Sequence, residues 1–422
     1  MELLPCGHPA APGRSRLCSH LLEPTWEGEH VRRFLGRGLD SDLVCTDCDR
    51  LAELELIQAC EGCVDRVTED EPVAARGWAT SRARPTEISM TQLGYLKLEL
   101  PFPRGLAGVR DGWLSLGYRN VVHHHGAGGS REVITLPTLP EETDESAAKK
   151  SEPVLHATQD GTAVALVRDY GRFGVAVTLE SELIKELDRG EYRVDLTRFP
   201  CTFADLEGQP VLIAGTEWNR VDAWDLSGRL LTERGPTSYE GNEEEPEHYL
   251  DYFQGALYVS PDGRKVLDDG WVWHPFGVPV TWDLARWLAD DVWEAEKASS
   301  LLQRSYLWDT PMCWIDNERI AIWGVGDEDE SVIPGAQVLN INTGLKTLFA
   351  GVPREPFWSD GQHLFVGSDV GLTVWDPTTG ELLGRLVGFS PLAYNRHLDE
   401  FLVRRGYGGA QRVQLIIGKG ES

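Results

Sequence analysis

The chain runs to 422 residues, 41% hydrophobic and 25% charged, a globular composition with length enough for more than one domain. Its formal net charge of −27 repels phosphate backbones, which argues against general nucleic-acid binding and favours a basic protein partner, although acidic charge also serves plain solubility. No apolar run reaches the roughly 18 residues of a membrane helix, and Met1 to Cys6 lack the basic and apolar segments of an export signal, so a cytoplasmic protein with reduced thiols is expected.

Six of the eight cysteines lie in the first 63 residues, arranged as four two-ligand hooks. They are Cys6/His8, Cys18/His20, Cys45/Cys48 and Cys60/Cys63. Short hooks let both side chains reach one ion without straining the backbone, and two hooks complete a closed tetrahedral site. The spacing therefore predicts two structural Zn²⁺ ions in a module spanning residues 1–70. The plain alternative, buried thiols or a disulfide framework, suits small secreted domains. Between the last two hooks, Arg50 to Leu56 holds good helix formers and no glycine, which predicts a short helix. A helix over all eleven residues between the hooks, Asp49 to Ala59, would advance about 16 Å, too far for its flanking hooks to share an ion. An interleaved pairing is thus expected, first hook with third and second with fourth, with all four late cysteines on one ion as the runner-up. This ligand order resembles cross-brace zinc modules, although the CxxC that opens a RING domain is replaced here by Cys6-Gly7-His8.

Residues 71–90, rich in Arg, Pro, Thr and Ser, read as a linker. From about residue 91 short alternating apolar runs recur between Asp-Gly, Ser-Gly or Thr-Gly turns. The clearest unit, Pro356 to Gly388, reads as a four-stranded meander with turns at Ser359-Asp360-Gly361, Asp369 to Gly371 and Asp376 to Gly380. Related units start near Val109, His156, Asp205, Tyr258, Met312 and Phe389. Seven units at this spacing predict an all-β, seven-bladed β-propeller over residues 91–422, because each sheet must cover its neighbours' faces. The alternating segment Ile88 to Leu100 is expected to clasp the ring by adding a strand to the last blade. The repeated Trp-Asp element with its following Ser/Thr-Gly (Trp224-Asp225, Trp375-Asp376) and Ser260-Pro261-Asp262-Gly263 resemble WD40-like and quinoprotein-like propellers. The Gly-His dipeptide of standard WD40 repeats is missing from every unit. That resemblance implies the fold and carries little about function.

Other candidate sites have plain readings beside them. His123 and His125 share one face of a strand and could grip a metal, or simply flank a glycine-rich hairpin tip. The acidic stretches 141–145, 243–247 and 327–330 could supply acid–base pairs or bind Ca²⁺, but read better as solvated loop charge. Cys201 and Cys313 read as packing residues. Arg32, Arg33 and Arg37 form a slight basic cluster flanked by Glu27, Glu29, Asp40 and Asp42, a weak basis for nucleic-acid binding. No nucleophile elbow, phosphate loop or His-Glu-x-x-His motif is present. The reading is a non-catalytic recognition or scaffold protein, with a hydrolase or lyase site in the propeller channel as the alternative.

Overall fold

In the computed structural model the described residues are 15–23, 30–34, 41–48, 55–59, 63, 67, 87–98, 102, 104–239, 244–326, 328–329, 332–368, 371–405 and 409–418. Near the N-terminus four short strands, β1 (Ser15–Cys18), β2 (His30–Phe34), β3 (Ser41–Cys45) and β4 (Leu56–Gln58), form one sheet in the order β2-β3-β1-β4. Leu17, Leu21, Leu43 and Val44 are fully buried against it. Most of the helix expected across Arg50 to Leu56 lies outside the described residues, but its C-terminal end is a strand instead. Leu56–Gln58 pairs antiparallel to β1 in the register Leu17↔Ile57. Good helix propensity there yields to the edge hydrogen bonds that β1 offers.

The rest of the described chain is a β-propeller. Its first sheet comprises Leu106–Val109, Gly112–Leu116, Val121–Gly126 and Gly129–Thr135. The second comprises Glu152–Ala157, Ala163–Asp169, Phe173–Thr178 and Leu183–Asp188. Cys201–Leu206, Gln209–Glu217 and Arg220–Asp225 make the third. The fourth is built on Phe253–Val259, Lys265–Val272 and Val280–Asp283. The fifth starts at Met312–Trp314 and ends at Lys346–Ala350; the sixth runs from Phe357–Ser359 to Leu382–Val387. Pro391–Asn395, Glu400–Arg404 and Gly409–Ile417 complete the seventh with β5 (Ile88–Lys97), the clasp read from the sequence, which pairs antiparallel with Gly409–Ile417. This strand begins at Ile88, inside the span read as linker.

The repeated polar elements are the turns of these sheets. The Asp376 carboxylate accepts from the backbone N–H of Thr378 and Thr379 at 2.7 and 3.2 Å, and Asp225 and Asn340 do the same two or three residues ahead. Each such turn closes through a glycine at positive φ: Gly380 at 76°, Gly228 at 81°, Gly344 at 70°. Side-chain capping supplies the turn and glycine supplies the left-handed residue, which is why the pair recurs at these three outer hairpins.

Apolar clusters fill every junction around the ring. Val109 and Leu114 meet Val164 and Val175; Phe199 and Leu212 meet Ala165 and Ala176; Val266 and Trp282 meet Val211 and Ala223. Leu267 packs on Met312 and Ile320, Trp323 and Val338 on Leu364 and Trp375, and Phe365 and Val374 on Phe401 and Val413. The seventh junction joins last sheet to first through Trp113, Leu402 and Ala410. Polar groups pin that closure. Asn395 Nδ2 donates to the Val109 and Gly112 carbonyls at 2.9 and 2.8 Å, while the buried Glu400 carboxylate accepts from Trp113 Nε1 and from Arg412 Nη2 at 2.7 Å.

The third sheet has three strands, and its edge is blunted by the next stretch of chain. Leu231 N–H donates to the Ala223 carbonyl at 2.8 Å, and the Arg234 guanidinium donates to the Val221 carbonyl at 2.8 Å. Thus Arg229 to Gly235 occupies the edge that would otherwise recruit another strand. Arg234 is the pin. Its side chain is 1% exposed, ion-paired to Asp222 and, at 2.5 Å, to Glu296, with the faces of Trp287 and Trp293 at 5.9 and 5.6 Å. Arg234→Ala leaves the buried Glu296 carboxylate without its cation and leaves Asp222 with Arg220 alone. It is expected to cost about 3–5 kcal/mol, read as a lowered urea midpoint; a loss below about 1 kcal/mol, the size typical of surface pairs, contradicts the pinning role.

Candidate metal centre

β1 and β3 run parallel in the register Leu17↔Leu43, so their C-terminal ends deliver Cys18 and Cys45 to the same place. The 3₁₀ turn Ser19–Leu22 then carries His20 across, and the turn after Cys45 brings back Cys48. Donor atoms of Cys18, His20, Cys45 and Cys48 all lie within 4.8 Å of one another. His20 Nδ1 is 3.2 Å from Cys48 Sγ and 3.6 Å from Cys45 Sγ, and the Cys45 backbone N–H donates to Cys18 Sγ at 3.3 Å. A Zn²⁺ ion with three sulfurs at about 2.3 Å and one nitrogen at about 2.0 Å requires edges of roughly 3.5–3.8 Å. The four donors are gathered closely enough to approach such a tetrahedron, and the donated N–H suits a thiolate.

The three cysteines are buried while His20 stays exposed. Burial and the neighbouring sulfurs push the Cys48 thiol up, to about 12. Burial also opposes ionisation of Cys45, but the Cys48 backbone N–H, the Cys48 thiol and His20 outweigh it and bring Cys45 down to about 7. One thiolate forms readily there and a second is resisted. A divalent cation removes that resistance, so the donor set fits a metal. Beneath it, Arg16 donates to Asp42 through Nε and Nη2 at 2.7 and 2.9 Å, locking the parallel strand pair that aligns the hooks.

Among the described residues the second hook lies beside the third, whereas the interleaved reading put the second with the fourth and the runner-up put the third with the fourth. The physical reason is β4: it runs antiparallel to β1 and carries the chain away from Cys18 before Cys60 is reached. Cys6, His8 and Cys60 lie outside the described residues; Cys63 is buried in the same small core. Arg32 and Arg33 fall on β2, and Arg37 lies outside the described residues.

The histidine run has the plain role. His123 and His125 do share a face, their rings 6.3 Å apart, but His125 is held through both nitrogens, by Ser115 Oγ at 2.8 Å and Ser130 Oγ at 2.7 Å. His124 turns the other way to Asp111 at 3.0 Å. Burial, then the charges of His123 and His124, lower His125 to about 4. Between pH 6.5 and 4 the unfolded chain takes up a proton that folded His125 refuses, so the stability tied to its neutral form is complete above 6.5 and is lost as pH falls towards 4. Imidazole NMR is expected to show His125 neutral until the pH nears 4. A midpoint near 6.5, the ordinary value, contradicts this packing.

Within the acidic stretch 141–145 the other four residues are exposed, as the solvated-charge reading expects, and Glu142 alone turns inward. Glu142, with its side chain 2% exposed, accepts the Arg172 backbone N–H at 3.0 Å, and Asp144 caps the helix Glu145–Lys150 through the Ala147 N–H at 2.8 Å. The stretches 243–247 and 327–330 lie partly outside the described residues. Cys201 is buried in the core between second and third sheets, and burial pushes both its thiol and that of Cys313 up, the latter to about 12.

Charged groups from several blades converge where the connections enter the ring. Arg104, Arg198, Asp309 and Arg354 each precede a sheet's first strand and line a cavity of about 690 Å³. Arg104 pairs with Asp169, Arg198 Nε meets Asp309 Oδ1 at 2.7 Å, and the Tyr170 hydroxyl donates to Asp309. Asp269, just behind, is raised to about 7 by burial and then by Asp309. Sequence spacing alone held no signal for this convergence, because its members lie up to 250 residues apart (Arg104 to Arg354).

No family model matches the chain, and no curated protein matches it. Among solved structures it is similar to the β-propeller domain of Cps50 (Swd1) from Myceliophteria thermophila, at 10% identity and a TM-score of 0.46, over 77% of this chain and 99% of that one. The propeller assignment here stands on this chain's own strand order and junctions. No helix among the described residues is long and apolar enough to cross a membrane.

Proposed function

We propose that this chain is a non-catalytic recognition or scaffold protein of the cytoplasm, with a seven-bladed propeller over residues 91–422 as its platform. Residues 1–70 form a second docking surface organised by two structural Zn²⁺ ions and joined to the propeller through residues 71–90, and the partner is a protein of basic character. One observation carries the reading: the donor atoms of Cys18, His20, Cys45 and Cys48 lie within 4.8 Å of one another, the number of donors that a closed tetrahedral site needs. A closed donor set leaves no site for substrate, so the metal would organise structure and not react. Hooks two and three together leave Cys6, His8, Cys60 and Cys63 for the second ion. The strand order supports that nesting, since the start of β1 and the end of β4 share one end of the sheet through Arg16↔Gln58.

The test is crosslinked affinity purification from the native cell, with metal analysis of the product. A protein recovered in near-equal amount and two zinc ions per chain support the proposal; a chain recovered alone, or without zinc, contradicts it. A second reading, a hydrolase or lyase in the channel, is favoured by Asp269 near neutrality beside Arg198 and Asp309. Under that reading Asp269→Asn abolishes turnover of a small polar substrate while leaving the zinc content unchanged.

A further inference from the structure

On one side of the propeller the chain departs from the blade plan to build an aromatic cleft of about 1210 Å³. Four segments meet there: the connection after Asp188, the hairpin tip at Trp218, the long connection that replaces a fourth strand in the third sheet, and the hairpin at Trp273. At its floor Phe253 stacks on Trp271 at 4.2 Å and packs on Trp218 at 4.6 Å. Tyr192 leans on Trp218 and Phe253 at 5.6 and 5.8 Å, and Trp273 lies 6.1 Å from Phe253. Tyr239 and Tyr249, 5.2 Å apart, contribute the other wall. Tyr192 and Trp273 are nonetheless 52% and 45% exposed. Solvent-facing rings gathered around a concavity mark a surface that another molecule covers.

Charge selects the class of that molecule. Glu191, Glu217 and Asp251 line the cleft, and Glu245 approaches Tyr239 from the long connection at 3.5 Å. The arginines beside them are engaged within the protein. Arg172 is held by Asp188 at 2.6 Å and by Glu191 at 3.6 Å. Buried Arg189 donates to the Gly171, Val194, Thr197 and Arg198 carbonyls and to the Thr197 hydroxyl. Arg193 lies over Trp273 at 5.4 Å, so the chain itself already places a guanidinium on that ring. Exposed aromatic rings beside Glu217 and Asp251, which no lysine or arginine pairs among the described residues, in a chain of net charge −27, favour a cation that can shed part of its water.

We infer that this cleft binds an extended, Lys- or Arg-bearing peptide segment of a partner protein, the basic side chains lying on Tyr192 and Trp273 and paired by Asp251 and Glu217. The inference rests on the recognition reading above and names the partner chemistry. Its test is fluorescence anisotropy with a labelled nonapeptide of alternating Lys and Ala, against a matched Glu/Ala peptide and cellohexaose as competitor. Wild type is expected to bind the Lys peptide, more weakly as salt is raised, and not the Glu peptide. The double variant Tyr192→Ala/Trp273→Ala is expected to lose about tenfold or more in affinity, from two cation–π contacts. The Tyr192→Phe/Trp273→Phe variant keeps most of the binding, and Asp251→Asn reduces the salt dependence. Absence of binding by wild type, equal binding by the alanine variant with an unchanged melting profile, or displacement of the peptide by cellohexaose overturns the proposal. A silent peptide alongside a partner still recovered by crosslinking removes the cleft and leaves the recognition reading standing; loss of both removes the reading itself.

Discussion

Cys45→Ser is expected to strip the inner zinc from the N-terminal unit and unfold it, while the propeller keeps its own melting transition. Cys45 contacts His20 through its sulfur and Cys18 through its backbone N–H, so it joins both hooks at once. Among the described residues the small core around Leu17, Leu21 and Leu43 contains few large side chains, too few to offset the ordering of this unit without help. Structural zinc contributes on the order of 10 kcal/mol in apparent terms, and serine is a far poorer ligand than a thiolate. Metal content should fall by one ion per chain, and amide exchange across β1, β3 and β4 should lose its protection. Cys60→Ser should likewise lose one ion, but from the outer hooks. If Cys45→Ser keeps full zinc occupancy and native protection, the assignment of this site is wrong.

The second large effect is expected at the ring closure. Glu400 is 1% exposed and accepts from Trp113 on the first sheet and from Arg412 on the adjoining strand. Glu400→Ala removes the acceptor for both, leaving the indole N–H buried without a partner and a guanidinium, 22% exposed, without its counter-charge. Orphaned buried donors cost about 1–3 kcal/mol each and a broken buried ion pair about 3–5 kcal/mol; partial exposure of Arg412 reduces the second figure. A loss of about 3–5 kcal/mol is therefore expected in urea unfolding, with exchange accelerated first in β5 and the first sheet. Neutral behaviour of Glu400→Ala would mean that the apolar contacts of Trp113 close the ring unaided.

Much of this architecture was legible in the residues. Turn chemistry made the sheets visible, because Asp225, Asn340 and Asp376 cap their hairpins through nearest-neighbour hydrogen bonds that need no tertiary context. The clasp was legible for the same reason, since Ile88 to Lys97 alternates as an outer strand must. The pairing of zinc hooks was not. It depended on whether Leu56–Gln58 would be helix or strand, and local propensity pointed to helix; the free edge of β1 decided otherwise. The role of Glu142 was hidden too, because a carboxylate in an acidic run carries no mark of the backbone N–H that it will meet thirty residues later. Trp218 and Trp273 held an unused signal: they sit at hairpin tips, where an apolar ring has no blade neighbour to fill.

X-ray absorption at the zinc edge tests the central claim most directly. The purified chain is predicted to show three sulfurs at about 2.3 Å and one nitrogen at about 2.0 Å around each zinc, as Cys18, His20, Cys45 and Cys48 require. A chain with no stoichiometric zinc, or a spectrum with oxygen ligands and an open coordination position, contradicts the account.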